Sequence, residues 1–438
     1  MREAALVIAI LWLVTLFSQL DRQIPALLAQ PIKAAFAISD TQFSFLQGYA
    51  FALTYTILGV PLGRLVDRTH RRNLILAGLL FWSLMTMLAG LATSYEQLLL
   101  ARMGVGIGEA VLAPAAYSII ADYVPPDRRG RALAVYYVSL AIGSGASLFL
   151  GGLILSLIPP EGLVIGGASF QPWQLAFLAA GAPGLPLALL LLAVKEPVRR
   201  EQAGLSHASI RDFLRYVGVH RATFARLLTY PALLAVIGYG VLAWAPALFQ
   251  RSFQMPPARS GLILGALVAL AGLAGTVLSG FLSDRWRARK VPAARFRVTL
   301  AAWLIIIPAA ALWPLMPSLV LAFALLALAV AGFALGQAAA PASIQEVLPN
   351  AMRGQAIALY LLLGGLLGIG FGPTSVALMT DYVFGNEAML PYALVAVSVP
   401  ASLIGLYLCW SGQAPYARTL AKFQLSADNP TTAPIGRP

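Results

Sequence analysis

Charged residues are scarce in this chain, and their scarcity excludes a soluble protein. Only 11% of the 438 residues are charged, while 59% are hydrophobic and the mean hydropathy is +0.80. A soluble domain carries roughly 25% charged residues. No polar stretch is long enough to form an extramembrane catalytic domain, so we expect a polytopic membrane protein that is not an enzyme.

Residues that bind metals or carry redox chemistry are also few. The single cysteine, Cys409, lies in an apolar segment, and the three histidines, His70, His207 and His220, lie in polar connections. One cysteine excludes an intramolecular disulfide and a cysteine-based zinc site. The sequence therefore predicts neither a metal site nor a bound cofactor.

Twelve apolar segments follow one another along the chain, each close to the ~20 residues that span a bilayer as an α-helix. The segments run over residues 4–29, 42–63, 73–94, 97–122, 131–158, 173–194, 222–249, 260–282, 297–315, 318–346, 355–380 and 390–411. Segment 1 is too long for the apolar core of a cleavable signal peptide, so we expect it to be retained. The predicted fold class is an all-α polytopic membrane protein with twelve transmembrane helices.

Positive charge marks one side of the membrane. Every second connection is basic, whereas the opposite connections hold only Lys33, Arg251 and Arg259. By the positive-inside rule, the basic connections and both termini are cytoplasmic. Membrane topology, rather than nucleic-acid binding, then accounts for the net charge of +13.

The second half of the chain repeats the first. Residues 63–68 match residues 280–285, and residues 125–136 match residues 349–360, at spacings of 217 and 224 residues. Each half contains an even number of segments, so both copies have the same orientation in the membrane. The sequence thus predicts two pseudo-symmetric six-helix halves.

The repeat divides the chain into four regions, namely 1–194 for the N-terminal half (N-half), 195–221 for a cytoplasmic linker, 222–411 for the C-terminal half (C-half) and 412–438 for a cytoplasmic tail. The linker has apolar residues at helical spacing among arginines: Ile210, Phe213, Leu214 and Val217. This pattern predicts an amphipathic helix on the inner membrane surface.

The loop from Gly63 to Arg72, Gly-Arg-Leu-Val-Asp-Arg-Thr-His-Arg-Arg, resembles the signature loop of the major facilitator superfamily, and the architecture is similar over the whole chain. The resemblance implies a cytoplasmic latch in which Asp67 meets the N-terminal end of segment 11 near Gly354. Asp284 would meet the N-terminal end of segment 5 near Gly130 in the same way, since a helix N-terminus stabilises a carboxylate.

The residues expected in this cytoplasmic gate are Gly63, Asp67, Arg68, Arg72, Asp122, Asp284 and Arg285. The loop arginines would pair with acids such as Asp122. A closed latch joins the halves on the inner side, so we expect it to favour the outward-open state. The alternative is a basic loop that serves membrane topology alone.

Four ionisable residues lie within the spans of the N-half: Asp21 and Arg22 in segment 1, and Arg102 and Glu109 in segment 4. A charge deep in the bilayer is costly unless it faces protein or water, so each one is a candidate for function. Arg102 and Glu109 are nearly two helical turns apart and project from one face. With every histidine outside the spans, Asp21 and Glu109 are the predicted proton carriers. The alternative is a structural ion-pair cluster.

The same residues resemble the spinster branch of the superfamily, through Asp21-Arg22 followed by Pro25, residues 102–114, and Trp244-Ala-Pro246. The resemblance implies a transporter of lysophospholipids or sphingosine-1-phosphate-like lipids. Arg22 and Glu109 would contact the polar head, with Asp21 and Arg102 beside them. The short tails and compact loops suggest a bacterial relative in the inner membrane, and we expect a monomer.

The C-half lacks the charges of the N-half. Aligning the repeats sets Asp21-Arg22 against Leu242-Ala243, Glu109 against Gln337 and Arg102 against Val330. The C-half instead offers aromatic residues, among them Tyr230, Tyr239, Trp244 and Phe333. We therefore predict a cavity with one charged and one apolar wall, in which Tyr239 and Trp244 contact the substrate and Trp244 responds to chain length.

These observations predict a secondary active transporter that moves an amphipathic lipid by rocker-switch alternating access and is coupled to protons. No phosphate-binding loop is present to use ATP. One alternative is a proton-coupled transporter of drugs or organic anions. Another is a lipid scramblase, a channel or a membrane receptor, none of which requires alternating gates.

Overall fold

The computed structural model describes residues 2–199 and 209–428 and is almost entirely helical there. The N-half contains α1 (Arg2–Leu27), α2 (Ala29–Phe36), α3 (Asp40–Ser44), α4 (Ala50–Arg68), α5 (Arg71–Gly90), α6 (Tyr95–Glu109), α7 (Leu112–Tyr123), α8 (Pro126–Leu157), α9 (Pro172–Gly181) and α10 (Gly184–Leu192). Strands β1 (Leu163–Ile165) and β2 (Ala168–Phe170) form a small antiparallel hairpin between α8 and α9, which the sequence analysis did not predict.

The linker contains α11 (Ile210–Val219), and residues 200–208 of it lie outside the described part of the chain. The C-half contains α12 (Arg221–Phe253), α13 (Pro257–Ala288), α14 (Ala294–Leu312), α15 (Leu319–Glu346), α16 (Asn350–Leu363), α17 (Gly372–Leu378) and α18 (Leu390–Asp428). Residues 429–438 of the predicted tail are also outside the described ranges.

Ten helical runs in the described residues are long and apolar enough to cross a membrane. An eleventh is a run bent by 47° between Asp40–Gly59 and Pro61–Arg68. Segment 5 corresponds to α8, of which Ile142–Leu157 forms a shorter apolar helix and several neighbouring side chains are not described. The all-α polytopic architecture predicted from the sequence is confirmed.

In the described residues, two helical runs contain three π-helical turns, which insert an extra residue and redirect side chains. One turn, Phe45–Tyr49, joins α3 to α4, and another, Gly364–Phe371, joins α16 to α17. A third, Met379–Phe384, follows α17. The first two turns pack against each other, since a Cβ added at Gly48 would lie 2.6 Å from the Ile369 carbonyl oxygen.

The helix pair α4 and α16 is separated on the side of the basic connections, which we call the basic side. A Cβ added at Gly59, Gly63 or Gly354 would meet no atom within 4 Å. On the opposite side, the π-helical turns at the ends of these helices are in close contact. The two halves therefore touch at one end of this interface and diverge toward the basic side.

Helices α8 and α13 form the second long interface between the halves, through glycines. A Cβ added at Gly152 would lie 2.5 Å from the Leu262 backbone nitrogen, and one at Gly145 would lie 2.3 Å from the Ala269 nitrogen. Such close backbone approach requires residues without a side chain, as is common between membrane helices. This contact also lies toward the side opposite the basic connections.

We predict that Gly152→Val lowers the thermal midpoint of unfolding, because the added side chain must push α8 and α13 apart. Overpacking of this kind typically costs about 1–3 kcal/mol. Gly59→Val is the matched control, since a Cβ at Gly59 meets nothing within 4 Å. Thermal unfolding of the purified proteins measures the difference, and equal midpoints for the two variants would contradict the packing argument.

Candidate functional site

An ion pair joins α1 to α6 in the interior of the N-half. Arg22 Nε donates a hydrogen bond of 2.6 Å to Glu109 Oε2, and Ser18 Oγ donates to the same oxygen at 3.1 Å. The Glu109 side chain is fully buried, whereas 21% of the Arg22 side chain is exposed. Glu109 thus lies behind Arg22 and neutralises it, while part of the guanidinium remains accessible.

Two aromatic side chains of α4 also contact the Arg22 guanidinium. The Arg22 Cζ atom lies 4.6 Å from the centre of the Phe51 ring and 4.8 Å from that of Tyr55. Phe51 and Tyr55 are themselves stacked, with ring centres 5.2 Å apart. Cation–π contacts of this kind stabilise a desolvated cation. Arg22 is therefore fixed by a carboxylate and two aromatic rings.

Asp21 and Arg102 form the second part of this charged cluster. Arg102 Nη1 donates to the Asp21 backbone carbonyl at 2.9 Å. Both side chains are fully buried, and among the described residues neither Asp21 carboxylate oxygen accepts a hydrogen bond. The four ionisable residues that the sequence analysis singled out are thus brought together between α1 and α6.

A small cavity lies against this cluster, between the two halves, within about 500 Å³ of empty space that is partly open to its surroundings. Its N-half wall is polar and includes Arg22 and Arg102. Its C-half wall is formed by Tyr239, Leu242, Ala243, Ile369 and Pro373. The cavity therefore has one charged wall and one largely apolar wall, in the arrangement expected from the unequal halves.

A second, smaller cavity lies within about 220 Å³ of partly open empty space and is lined by apolar side chains alone. Leu242 lines both cavities, so the two are neighbours. The remaining lining comes from α8, α12, α13 and α15, and includes Leu148, Val241, Leu264, Leu326 and Val330. Val330 is the C-half counterpart of Arg102, which is why this side of the site is apolar.

Not all of the aromatic residues predicted to line the C-half side of the site do so in the structure. Tyr239 lines the larger cavity, but Trp244 lines neither cavity. Trp244 is fully buried, its Nε1 donates to the Pro373 carbonyl at 2.8 Å, and its ring packs edge-on against Phe43. In this structure Trp244 joins α12 to Pro373 and Phe43, and its contact with the substrate stays a prediction.

Tyr230 and Phe333, the other two aromatic candidates, are also absent from the lining of both cavities. Tyr230 packs against Phe296, and Phe333 fills the space that Gly238 leaves open. Both residues contribute to the packing within the C-half.

A polar cluster joins the two halves on the side opposite the basic connections, around the fully buried Asp40. Arg251 of the C-half contacts both Asp40 oxygens, at 2.7 and 2.9 Å, and Thr380 donates to one of them at 3.1 Å. Lys33 pairs with Asp40 and, at 2.6 Å, with Glu387. We call Lys33, Asp40, Arg251 and Glu387 the opposite-side cluster.

Further polar contacts between the halves surround the opposite-side cluster. The Thr41 backbone nitrogen donates to Asp381 at 2.7 Å, and Gln250 donates to the Leu27 carbonyl at 3.1 Å. The sequence analysis missed this closure. The sequence did contain an indication of it, because Lys33 and Arg251 are two of the three cations in the connections on that side.

On the basic side, Arg71 is the centre of an ion cluster that joins the N-half to the start of the linker. It pairs with Asp122, confirming the predicted contact between the signature loop and that acid, and with Glu196 at 2.7 Å. Partial burial by itself raises the pKa of the Glu196 carboxyl. Hydrogen bonds from the Arg72 backbone nitrogen and the Arg71 guanidinium outweigh that effect, so the pKa lies below its usual range. Glu196 was not predicted.

The remaining gate residues are not engaged in a latch in this structure. Asp67 and Asp284 are exposed, as are Arg68 and Arg285, and there is open space at Gly354. Of Gly130, the expected neighbour of Asp284, only the helical backbone is described. The halves are closed on the opposite side, so a latch on the basic side remains a prediction for the other conformation.

Helical halves that are closed on one side around a central cavity define a membrane transport protein. The model of the Major Facilitator Superfamily matches residues 11–373, and the chain belongs to this superfamily. A protein named "MFS-type efflux pump" from Mycolicibacterium smegmatis is 29% identical over 427 residues, which cover 96% of this chain and 95% of that protein.

The resemblance to spinster proteins is also confirmed. Protein spinster homolog 1 of Bos taurus is 30% identical over 305 residues, which cover 65% of this chain but only 55% of the bovine protein. A crystal structure of a bacterial homologue of the human lysosomal transporter spinster, inward-facing and unoccupied, has a TM-score of 0.82 at 28% identity, covering 96% of this chain and 98% of that one.

We predict that Asp40→Asn opens the opposite side, because it removes the buried carboxylate that Lys33 and Arg251 share and leaves the half-exposed Glu387 as the anion of the opposite-side cluster. Removing one partner of a buried ion pair costs about 3–5 kcal/mol, and this cost falls only on the closed conformation. A cysteine at Ser144, which lines the cavity, should then react with an impermeant maleimide from that side at least ten times faster.

Asp67→Asn is the control for this measurement, since Asp67 is an exposed acid on the basic side. It should leave the labelling rate from the opposite side unchanged or lower it. An unchanged rate in Asp40→Asn would mean that the opposite-side cluster does not hold this side closed.

Proposed function

We propose that this protein is a secondary active transporter of an amphipathic, anionic lipid of the lysophospholipid or sphingosine-1-phosphate kind. It would act as a monomer in the inner membrane of a bacterium, with both termini cytoplasmic. The regions 1–194 and 222–411 would rock as two bodies about the central cavity. Proton coupling would run through Asp21 and Glu109.

The observation that carries this proposal is the pair of neighbouring cavities with unlike linings. Arg22 and Arg102 offer guanidinium groups, which bind phosphate through several charge-assisted hydrogen bonds. Leu242 connects that region to an apolar cavity between α12 and α15. A small polar solute leaves the apolar cavity unused, whereas a lipid fills both parts.

Alternating access is supported by the asymmetric closure of the halves. With the basic side in the cytoplasm, the opposite-side cluster closes the outer face, and the structure corresponds to an inward-facing conformation. The inner latch of Asp67 and Asp284 would close after the halves rock. A scramblase or channel needs no such pair of mutually exclusive closures.

The proposed proton coupling rests on competition between Glu109 and the substrate head group for Arg22. An anionic head group that binds the accessible part of Arg22 weakens the Arg22–Glu109 pair. A buried carboxylate without a cationic partner is costly unless it takes up a proton. Substrate binding and protonation of Glu109 would thereby be linked, with Asp21 as a second acceptor beside it.

The alternative with the most support is drug export, since the M. smegmatis relative is named an efflux pump and matches this chain over nearly its full length. Exporters of cationic drugs need an accessible anion. The charged residues that line the larger cavity are the partly exposed Arg22 and the buried Arg102, while Asp21 and Glu109 do not line it.

We predict that Glu109→Gln abolishes the pH dependence of lysophospholipid transport in proteoliposomes, because the amide cannot exchange a proton. The amide should fit, since Gln337 occupies the matching position in the C-half. Glu161→Gln, which changes an exposed loop acid, is the control. If well-folded Glu109→Gln keeps the wild-type pH dependence, coupling runs elsewhere.

We also predict that Val330→Trp selectively slows the transport of long acyl chains, because the indole fills the apolar cavity. The ratio of long-chain to short-chain transport should fall about tenfold. Leu328→Trp is the control, since that side chain lies on the same helix but is 45% exposed. Equal losses for long and short chains would argue against a chain-binding role for this cavity.

A further inference from the structure

Three glutamines line the larger cavity on its polar side: Gln19 and Gln23 of α1, and Gln47 of the π-helical turn Phe45–Tyr49. Within the described ranges, none of these side chains donates or accepts a hydrogen bond. Ser144 of α8, on the same wall, likewise has no side-chain partner there. Gln47 Oε1 is the amide atom of this set that is buried without a partner among the described residues. Buried polar groups in proteins are normally paired, so this unpaired amide oxygen at a cavity wall indicates a group that binds a solute.

Gln47 is the most constrained of the three amides. Only 8% of the residue is exposed, and its Oε1 atom is buried without a hydrogen-bond partner among the described residues. It lies in a π-helical turn, a feature that is frequent at functional sites. The neighbouring Gly48 packs against Ile369 and Pro373, which are themselves part of the cavity wall. The turn therefore holds the Gln47 amide in place beside the site.

The charges that face the cavity are of one sign. The partly exposed Arg22 and the fully buried Arg102 line it, whereas Asp21 and Glu109, which are also fully buried, are not part of its lining. The polar wall thus presents guanidinium donors together with amides that both donate and accept. It presents no carboxylate to a second cationic group of a ligand.

We infer that the amides of Gln19, Gln23 and Gln47 form a subsite for head-group hydroxyls, and that the substrate class is a phosphate lipid with a polyol head, such as a lysophosphatidylglycerol. The inference rests on the proposed function and adds the chemistry of the head group. A hydroxyl donates and accepts hydrogen bonds, which matches an amide at both of its atoms.

A choline head fits this wall less well. A quaternary ammonium donates no hydrogen bond and is recognised by aromatic rings or carboxylates. Phe51 is already covered by the Arg22 guanidinium, which leaves Tyr239 as the aromatic ring of the lining that is available to a cation. A choline head would also leave the Gln47 amide unpaired, and sites with unpaired buried polar groups discriminate strongly.

The test is a binding series on the purified full-length protein with lauroyl lysophosphatidylglycerol, lauroyl lysophosphatidylcholine and free glycerol 3-phosphate, each lipid below its critical micelle concentration. We expect the wild type to bind the glycerol head at least fivefold more tightly than the choline head. Gln47→Leu should reduce that preference to within twofold, mainly by weakening the glycerol lipid. Gln23→Leu serves as a second variant of the subsite.

Gln337→Leu is the matched control, because Gln337 pairs with Tyr360 and lines neither cavity. It should keep the wild-type preference. Equal or reversed preference in the wild type overturns the inference, as does an equal loss for both lipids in Gln47→Leu and Gln23→Leu. Glycerol 3-phosphate that binds as tightly as its lipid, or a wild type that binds neither lipid, instead overturns the proposed lipid function.

Discussion

The site depends on one constraint, which is that charge inside an apolar bundle must be neutralised by a partner. Glu109 meets this requirement for Arg22 at 2.6 Å, and the Phe51 and Tyr55 rings hold the other faces of the guanidinium. Burying ion pairs is a poor means of gaining stability, because desolvation offsets most of the attraction. Under the proposed function, their concentration in one half, against a cavity, serves a ligand that competes for Arg22.

The duplicated halves have diverged where they meet. Arg102 and Val330 occupy matching positions, and one lines the charged region while the other lines the apolar cavity. Closure differs between the two sides as well. Asp40 and its cations hold the halves together on one side, while Asp67 and Asp284 are exposed on the other. An asymmetric cavity with a single closed side is what rocking of two rigid halves requires.

The fold and the charged cluster were predictable from the sequence, because the thickness of a bilayer fixes the length of each apolar segment and the cost of buried charge makes ionisable residues rare within these segments. Asp21, Arg22, Arg102 and Glu109 were found in this way. The position of Trp244 away from both cavities was not predictable, because segment periodicity does not say whether an aromatic ring faces a cavity or a neighbouring turn. Asp40 and Glu196 were missed because both lie at span ends, where an acid is ordinarily solvated. The π-helical turn that positions Gln47 has no sequence signature distinct from an α-helix.

Photocrosslinking with a lysophospholipid that carries a diazirine at the end of its acyl chain tests the central claim most directly. The protein in lipid nanodiscs would be labelled and the crosslinked peptides mapped by mass spectrometry. If the charged wall holds the head and the apolar cavity holds the chain, labels should appear on α12 and α15 around Leu242, Leu326 and Val330, and Arg22→Ala should remove them. Labels confined to the lipid-facing surface, or unaffected by Arg22→Ala, would contradict the account.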